Sequence, residues 1–289
     1  MANLKEIRIR IGSVSSTMQI TSAMKMVSAA KLKKAQDAIT AMRPYSNKLS
    51  ELMQRFSGAS EASGTGEKSF TNKRKIKKVL VIAISSNRGL CGAFNTNIAK
   101  EINIIKSRDE FKNSEIDFLT IGKKIKDTLQ KAEKIIQNDS DVFDELNYER
   151  VSKIVEKVMD LFLTQEYDYM EIVYNSFKNA ATQIIKSEQF LPIPLSEKEG
   201  SENSDYIFEP SLELIVSTLI PKSLKMQLFK AIRDSFASEH GARMTAMHKA
   251  TDNATELRDE LKLTYNKARQ ASITNEISEI VGGAEALNN

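Results

Sequence analysis

The residues whose types could carry chemistry are few, and the clearest group is a loop. Residues 85–92 read Ser-Ser-Asn-Arg-Gly-Leu-Cys-Gly and lie between an apolar run and a predicted helix. Phosphate-binding loops occupy this position, because glycines let backbone amides approach an anion at a helix N-terminus. The loop matches neither Gly-x-x-x-x-Gly-Lys-Ser/Thr nor Gly-x-Gly-x-x-Gly. A structural turn is therefore the favoured interpretation, and nucleotide binding at this loop is an alternative.

Cysteine and histidine offer little catalytic or metal chemistry. Cys91 is the single cysteine, so an internal disulfide is excluded. A Cys91 nucleophile would need His240 or His248 as its base, and a small buried residue in a tight turn is the simpler interpretation. The two histidines are eight residues apart on one predicted helix and cannot hold one metal by themselves. The sequence predicts no structural metal and no cofactor.

Two pairs of carboxylates are candidates for an acid and a base. Glu209 with Glu213, and Asp259 with Glu260, lie among surface charges or near loops, with no apolar pocket that would raise a pKa. They are interpreted as solvated side chains. The residues alone therefore predict no active site, and we expect a protein that is not an enzyme by itself.

The N-terminal part has a heptad pattern. Alternating steps of three and four residues from Leu4 to Phe56 give sixteen positions, of which twelve are apolar. A repeat of 3.5 residues over this distance predicts a helix supercoiled on another helix, roughly 80 Å long at ~1.5 Å per residue. Three polar positions fall together at Thr21, Lys25 and Ser28, which predicts that the apolar seam changes face there, towards Met24, Met26 and Val27.

The C-terminal part predicts a second long helix, with Pro221 expected to kink or break it near its start. One predicted seam consists of Phe229, Ile232 and Phe236, and the other of Ile273, Ile277, Ile280, Ala284 and Leu287. The simplest partner for the first helix is this last one, running antiparallel. Separate bundle helices in a conventional all-α domain are the alternative.

The middle part alternates strands and helices. Strands are predicted at residues 79–84, 116–122, 170–175 and 182–190, with helices through Ile98 to Ile105 and through Val151 to Leu161. This order predicts a small Rossmann-like α/β head with a parallel sheet. The predicted division is therefore a coiled-coil helix at 1–56, a linker at 57–75, the head at 76–195, a loop and foot at 196–210, and a second coiled-coil helix at 211–289.

Charge and hydropathy limit the class of protein. The 289 residues contain 41% hydrophobic and 28% charged residues, and the longest apolar run, residues 79–84, is far shorter than a membrane span. Residues 1–8 lack a signal-peptide core, so we expect a cytosolic product. Residues 1–56 hold ten Lys or Arg against three acids. This excess of positive charge favours binding to an acidic surface of protein, phospholipid or nucleic acid. A basic coiled coil that binds nucleic acid, or a scaffold protein, is the alternative function.

Five ordered motifs resemble the gamma subunits of F-type ATP synthases. They are residues 5–8 (Lys-Glu-Ile-Arg), 19–27 (Gln-Ile-Thr-Ser-Ala-Met-Lys-Met-Val), 86–92, 237–247 and 265–277. The resemblance implies a long antiparallel coiled coil with an α/β head. It also implies a non-catalytic rotor shaft that couples proton flow through a membrane ring to ATP synthesis or hydrolysis on a ring of alpha and beta subunits. The implied partners are alpha, beta, epsilon and the c ring, with no nucleic acid.

The resemblance also assigns residues. Met24 and Lys25 match positions beside an acidic loop of beta, and Arg269 and Gln270 match those that hydrogen-bond a beta catch loop. Arg243 belongs to the facing motif that supports this region. Three residues of a foot on the membrane ring and epsilon are Tyr206, Phe208 and Glu209.

Two departures and one absence refine the expectation. Asn87 stands where the family usually has Asp, and the paired cysteines of plastid members are missing. No transit segment is visible in the sequence, which favours a bacterial protein on the cytoplasmic side of the inner membrane, held there peripherally through the complex.

Overall fold

The computed structural model describes residues 4–61, 70–72, 74–193 and 212–287. A long helix lies at each end of the chain and a mixed α/β layer lies between them, so the predicted fold class is confirmed. The elements are α1 Leu4–Glu61, β1 Lys78–Ile84, α2 Phe94–Lys106, β2 Glu115–Ile121, α3 Lys123–Leu129, β3 Ile135–Asn138, α4 Tyr148–Leu163, β4 Tyr169–Phe177, β5 Gln183–Leu191 and α5 Leu212–Leu287. Short 3-10 turns occupy Asp109–Phe111 and Ser140–Phe143.

The chain forms two compact units. Unit 1 consists of Met1–Ser28 and Met244–Asn289, and unit 2 of Ala29–Arg243. Helices α1 and α5 therefore each contribute to both units. The five-part division expected from the sequence stays a prediction. Helix α5 continues through Pro221 without a break.

Unit 1 is an antiparallel helix pair. The hydroxyls of Thr21 and Thr251 are 2.8 Å apart, and a guanidinium nitrogen of Arg8 donates to the Tyr265 hydroxyl at 2.7 Å. Residue numbers rise on one helix as they fall on the other, as an antiparallel pair requires. The Arg8 guanidinium also lies 5.6 Å from the centre of the Tyr265 ring, a cation–π contact.

The predicted change of seam at Thr21 to Ser28 was wrong. Thr21 is 8% and Ser28 3% exposed, whereas Met26 is 66% and Val27 57% exposed. The physical reason is that each hydroxyl finds a hydrogen-bond acceptor on its own helix. Thr21 donates to the Met18 carbonyl and Ser28 to the Met24 carbonyl. Small hydroxyl side chains can therefore fill seam positions without an unpaired buried donor.

The predicted C-terminal seam at Ile273, Ile277 and Ile280 is exposed, by 48%, 56% and 71%. The helix register explains this result. Since Arg8 faces Tyr265, the start of α1 at Leu4 lies level with about residue 269 of α5. Residues 270–287 thus extend beyond the described start of α1, and this apolar row has no α1 segment opposite it.

Unit 2 contains a five-stranded sheet in the order β3-β2-β1-β4-β5, in which only β5 is antiparallel to its neighbour. Five of the six buried residues of β1 have branched aliphatic side chains, and the sixth is alanine. The strand is covered on both faces, as expected for parallel strands. Helix α4 and the first part of α5 pack on one face, and α2 and α3 on the other. The four predicted strands and the Rossmann-like layout are confirmed, while β3 and α3 were not predicted.

Candidate functional site

The strand order creates a crevice between β1 and β4. The connections from these neighbouring parallel strands leave in opposite directions, and ligands of doubly wound folds bind outside the carboxyl ends of the strands at such a point. Residues 85–92 follow β1, and residues 178–182 follow β4. The loop singled out in the sequence therefore does lie at a ligand-binding position of the fold.

Helix α5 passes over this crevice. A Cβ atom added to Gly241 would lie 3.2 Å from the Ala180 carbonyl oxygen and 3.3 Å from the Ala180 Cα. Two residues later, Nη2 of Arg243 donates to the carbonyl oxygens of Arg88 at 3.1 Å and Gly89 at 3.2 Å. The protein's own guanidinium thus lies against the carbonyl oxygens of the loop at this edge of the sheet. This arrangement suits a structural anchor between the head and α5.

The anchor is a buried ion pair. Nη1 of Arg243 lies 2.7 Å from Oε1 of Glu239, and both side chains are about nine-tenths buried. Burial raises the pKa of the Glu239 carboxyl, and the Arg243 charge opposes that rise. Other guanidinium donors of Arg243 reach carbonyl oxygens, so these buried charges have hydrogen-bond partners within the chain. Arg243 therefore has an intramolecular role, and its predicted contact with another subunit stays a prediction.

His240 belongs to the same cluster. Nη1 of Arg243 lies 3.5 Å from its Nδ1. Burial, followed by the neighbouring charges of Arg243 and Lys31, lowers the pKa of His240 to about 4. The ring packs edge-on against Phe236, with the centroids 4.5 Å apart. His240 is therefore a neutral packed side chain at pH 7.

The inside of the 85–92 loop is held by its own polar groups. The Ser86 hydroxyl donates to the Arg88 carbonyl at 2.7 Å, and Asn95 Nδ2 lies 3.3 Å from the Cys91 sulfur. Gly92 has φ +60°, a backbone conformation for which glycine is the natural choice. Burial raises the pKa of the Cys91 thiol, which disfavours a thiolate nucleophile. The contacts agree with the structural turn favoured by the sequence.

Asn87 joins this loop to the segments that follow β2 and β3. Its Nδ2 donates to the Ser140 carbonyl at 2.9 Å, and its Oδ1 accepts from the Lys123 amide at 3.1 Å, at the first residue of α3. Asparagine does both jobs because its amide carries a donor and an acceptor. An aspartate at this position would keep only the accepting role.

The predicted contact residues of unit 1 lie in two places. Met24 and Lys25 are half-buried, and Nζ of Lys25 lies 3.4 Å from His248 Nδ1. Arg269 and Gln270 are exposed. About twenty residues of α5 separate His248 from Arg269, or roughly 30 Å along the helix axis. The structure therefore places these residues on two separate surfaces, and their contacts stay predictions.

The remaining predicted site residues are placed as follows. Tyr206, Phe208 and Glu209 lie outside the described residues. Asp259 bonds its neighbour Arg258 at the surface. Within the described ranges, no group of three or more His, Cys, Asp or Glu side chains could hold a metal. The same part of the chain contains no helix with the length and apolarity needed to cross a bilayer.

The comparisons with known proteins agree over the whole chain. The model of the ATP synthase family matches residues 3–287. The ATP synthase gamma chain of Flavobacterium psychrophilum is 67% identical, with 99% of each chain covered. The chain belongs to the ATP synthase gamma chain family. Gamma chains are non-catalytic subunits of ATP synthase, so the absence of an active-site motif has a direct explanation. The gamma chain of Christiangramia forsetii is 63% identical, with each chain fully covered.

Solved structures support the fold of this gamma chain. A chain of the Euglena gracilis mitochondrial ATP synthase, solved as OSCP, F1 and c-ring in rotational state 3, has a TM-score of 0.72 at 20% identity, covering 98% of this chain and 94% of the other. A chain of the Tetrahymena thermophila central stalk and c-ring has a TM-score of 0.56 at 25% identity, covering 80% and 99%.

Sequence reasoning missed the role of Gly241 and the carbonyl partners of Arg243. Gly241 is the one glycine between residues 211 and 281, and an isolated glycine in a helical pattern is a signal of close backbone approach. Carbonyl acceptors at Arg88 and Gly89 carry no signal of side-chain type, and they lie about 155 residues away in sequence. Only the fold reveals that contact.

Proposed function

We propose that this gamma chain is the central shaft of an F-type ATP synthase and couples proton flow through a membrane ring to ATP synthesis or hydrolysis by rotation. One observation carries the proposal: residues 270–284 of α5 present an exposed apolar row that includes Ile273, Ile277 and Ile280. An isolated helix of this length is only marginally stable in water, and an exposed apolar row of this kind marks a contact with a partner that buries it. A bearing formed by the alpha and beta subunits meets that requirement.

The proposed beta contacts are polar. Arg269 and Gln270 are exposed on α5 just where the paired part of the helices ends. A planar guanidinium with several donors suits a strong and reversible contact with a loop of beta. Met24 and Lys25 form the second proposed contact, beside the exposed Met26 and an acidic loop of beta. Arg243 supports the region from within unit 2.

Coupling then follows from asymmetry. One shaft faces three equivalent catalytic sites, so each orientation presents a different surface to each beta subunit. Different contacts bias each beta subunit towards an open or closed state, and a step of rotation exchanges those states among the three. Proton flow would thereby drive product release on the ring, while this chain performs no bond chemistry.

The lower end of the proposed shaft uses residues of the foot. Tyr206, Phe208 and Glu209 are the proposed contacts with the c ring and epsilon, by resemblance to the family. The location that goes with these partners is the cytoplasmic face of a bacterial inner membrane, with attachment through the complex. The bacterial gamma-chain relatives support this location.

The proposal is tested first by composition. Purification of the tagged full chain from native membranes, followed by native mass spectrometry, should give one copy with three alpha and three beta subunits. Recovery of free chain, or of nucleic acid in place of these subunits, would overturn the rotor assignment and favour the basic binding-module alternative.

The contact assignment needs a second experiment. Arg269→Ala and Gln270→Ala in the assembled enzyme should each lower ATP-driven proton pumping or ATP synthesis at least about twofold, as expected for contact residues. Lys267→Ala, at an exposed position on the same helix, is the matched control. Helical content of the isolated chain should not change. Wild-type ATP synthesis in both variants would show that these two residues are not the contacts.

A further inference from the structure

A cavity of about 310 Å³ lies in unit 2, beside the last residues of β4. It is bounded by α1, the β4 and β5 strands and the first part of α5. Ile39 and Phe177 give it apolar surface, while the other lining groups are largely polar or charged. This volume is within the range of small-molecule sites, which combine apolar walls with a few converging polar groups.

Three cations from three different elements line the cavity. They are Arg43 on α1, Lys186 on β5 and Lys230 on α5. Lys186 lies 3.4 Å from Glu188 and is partly neutralised. Among the residues that the structure describes, Arg43 and Lys230 form no ion pair within 4 Å. These two charges are available at the cavity.

One carboxylate faces the same space. Asp234 is 7% exposed and accepts a hydrogen bond from the Ser176 hydroxyl at 3.3 Å. Burial raises the pKa of this carboxyl, and Lys230, Arg43 and Lys186 act in the opposite direction. With Glu188 and Asp234 both counted against the three cations, one positive charge remains. The cavity therefore has a net positive charge, which favours an anion as its ligand.

We propose that this cavity binds a phosphate group, with Arg43 and Lys230 as its principal ligands. A guanidinium offers two parallel donors that match the spacing of phosphate oxygens, and a lysine ammonium adds a point charge from a different helix. Lys186 provides the third cation. The cavity is larger than a single phosphate, so it has room for water or for the organic part of a phosphate ester. This inference does not depend on the rotor proposal.

Binding would connect three parts of unit 2 that meet at the cavity. Because the three cations are on α1, β5 and α5, a bound phosphate would relieve their mutual repulsion and hold these elements together. A ligand that binds only the folded chain raises its thermal midpoint as its concentration passes the Kd. Phosphate should therefore stabilise the chain more than an equal ionic strength of chloride does.

The test uses the purified full chain and inorganic phosphate. Phosphorus-31 NMR line broadening and isothermal titration should show one saturable site at constant ionic strength, together with a rise in thermal midpoint. A parallel titration with glycerol phosphate distinguishes free phosphate from the phosphate group of a larger molecule. Saturable binding of either ligand supports the site, and the tighter one identifies the source. Binding of neither would overturn the proposal.

Variants connect that binding to this cavity. Arg43→Gln and Lys230→Gln should each weaken the Kd by about tenfold or more, the usual effect of losing one charged hydrogen bond. Lys222→Gln, an exposed position on the same helix, should change it less than about twofold. Circular dichroism without phosphate controls for folding. Equal binding by wild type and both cavity variants would place the phosphate elsewhere and refute the assignment.

Discussion

Nη2 of Arg243 donates a hydrogen bond to the carbonyl oxygen of Gly89 at 3.2 Å, across 154 residues of chain. The contact joins the loop after the first strand to the last helix. It lies at the one edge of the sheet where a doubly wound fold would hold a ligand. The head is thus attached to α5 by a charged side chain at its ligand-binding crevice.

Replacing Arg243 should destabilise the isolated chain strongly. Arg243→Gln leaves the buried Glu239 carboxylate without its partner, and it removes the bonds to the Arg88 and Gly89 carbonyls. We expect a loss of about 2 to 4 kcal/mol in the free energy of unfolding, measured by urea denaturation. Lys249→Gln, exposed on the same helix, should change it by less than about 0.5 kcal/mol. A value for Arg243→Gln as small as this control would rule out the anchor.

Gly241 should tolerate a larger side chain poorly. Gly241→Val forces its Cβ against the Ala180 backbone, where only 3.2 Å is available to the carbonyl oxygen. Overpacking of this kind costs about 1 to 3 kcal/mol. Gly12→Val is the matched control, because Gly12 is also in a long helix but has no neighbour within 4 Å of the added Cβ. Thermal unfolding should separate the two variants. Equal midpoints would mean that α5 does not press on the loop after β4.

His240 should make stability depend on pH. Its pKa is about 4 in the folded chain and 6.5 when unperturbed, so between these values the unfolded state binds more protons. The stability that comes from neutral His240 is present above pH 6.5 and is lost as the pH falls towards 4, by about 3 kcal/mol in all. His240→Gln should remove that part of the slope in urea titrations at several pH values.

The control for this prediction is the other histidine. His248→Gln, at an exposed position, should keep the wild-type pH profile. Asp234 and Glu239 have raised pKa values and favour the folded state as the pH falls, but they are present in all three proteins. Their contributions cancel in the differences. Parallel profiles for wild type and His240→Gln would contradict the burial of a neutral imidazole.

Two substitutions of Asn87 should lower the stability of the chain by different amounts. Asn87→Ala loses both the bond to the Ser140 carbonyl and the bond from the Lys123 amide, at about 1 to 2 kcal/mol. Asn87→Asp keeps the second bond and places a negative charge at the start of α3, so its cost should be about half as large. Chemical denaturation of the two variants gives the order. An Asp variant less stable than the Ala variant would show that repulsion between the carboxylate and the Ser140 carbonyl outweighs the bond from the Lys123 amide.

The sequence predicted the elements that have a strong period and length. The sixteen-position heptad of α1 and the continuous apolar run of β1 gave the right structures, because burial on a fixed face leaves its period in the residues. Strand β3 has only four residues, two of them Gln137 and Asn138, and it is held by the neighbouring β2 more than by its own composition. Such a strand cannot be distinguished from a loop by pattern.

The seam errors, and the missed partners of Arg243, came from features that composition does not reveal. Thr21 and Ser28 were expected to turn away from the partner helix, but each satisfies its hydroxyl on its own backbone. Ile273 and Ile277 match a seam in sequence, yet their exposure depends on where α1 begins. The carbonyl oxygens that Arg243 binds are invisible in a list of side chains, while its expected contact with another subunit stays a prediction.

The crevice between β1 and β4 is occupied by a covalently attached group, and this changes how any soluble molecule would compete for it. An intramolecular group acts at an effective concentration of the order of millimolar or more. The Arg243 guanidinium also brings Glu239 with it, so displacement exposes a buried carboxylate to the incoming anion. A nucleotide would have to overcome both effects. The head keeps the strand order of a doubly wound fold, and its own last helix covers the position at which such folds bind their ligands.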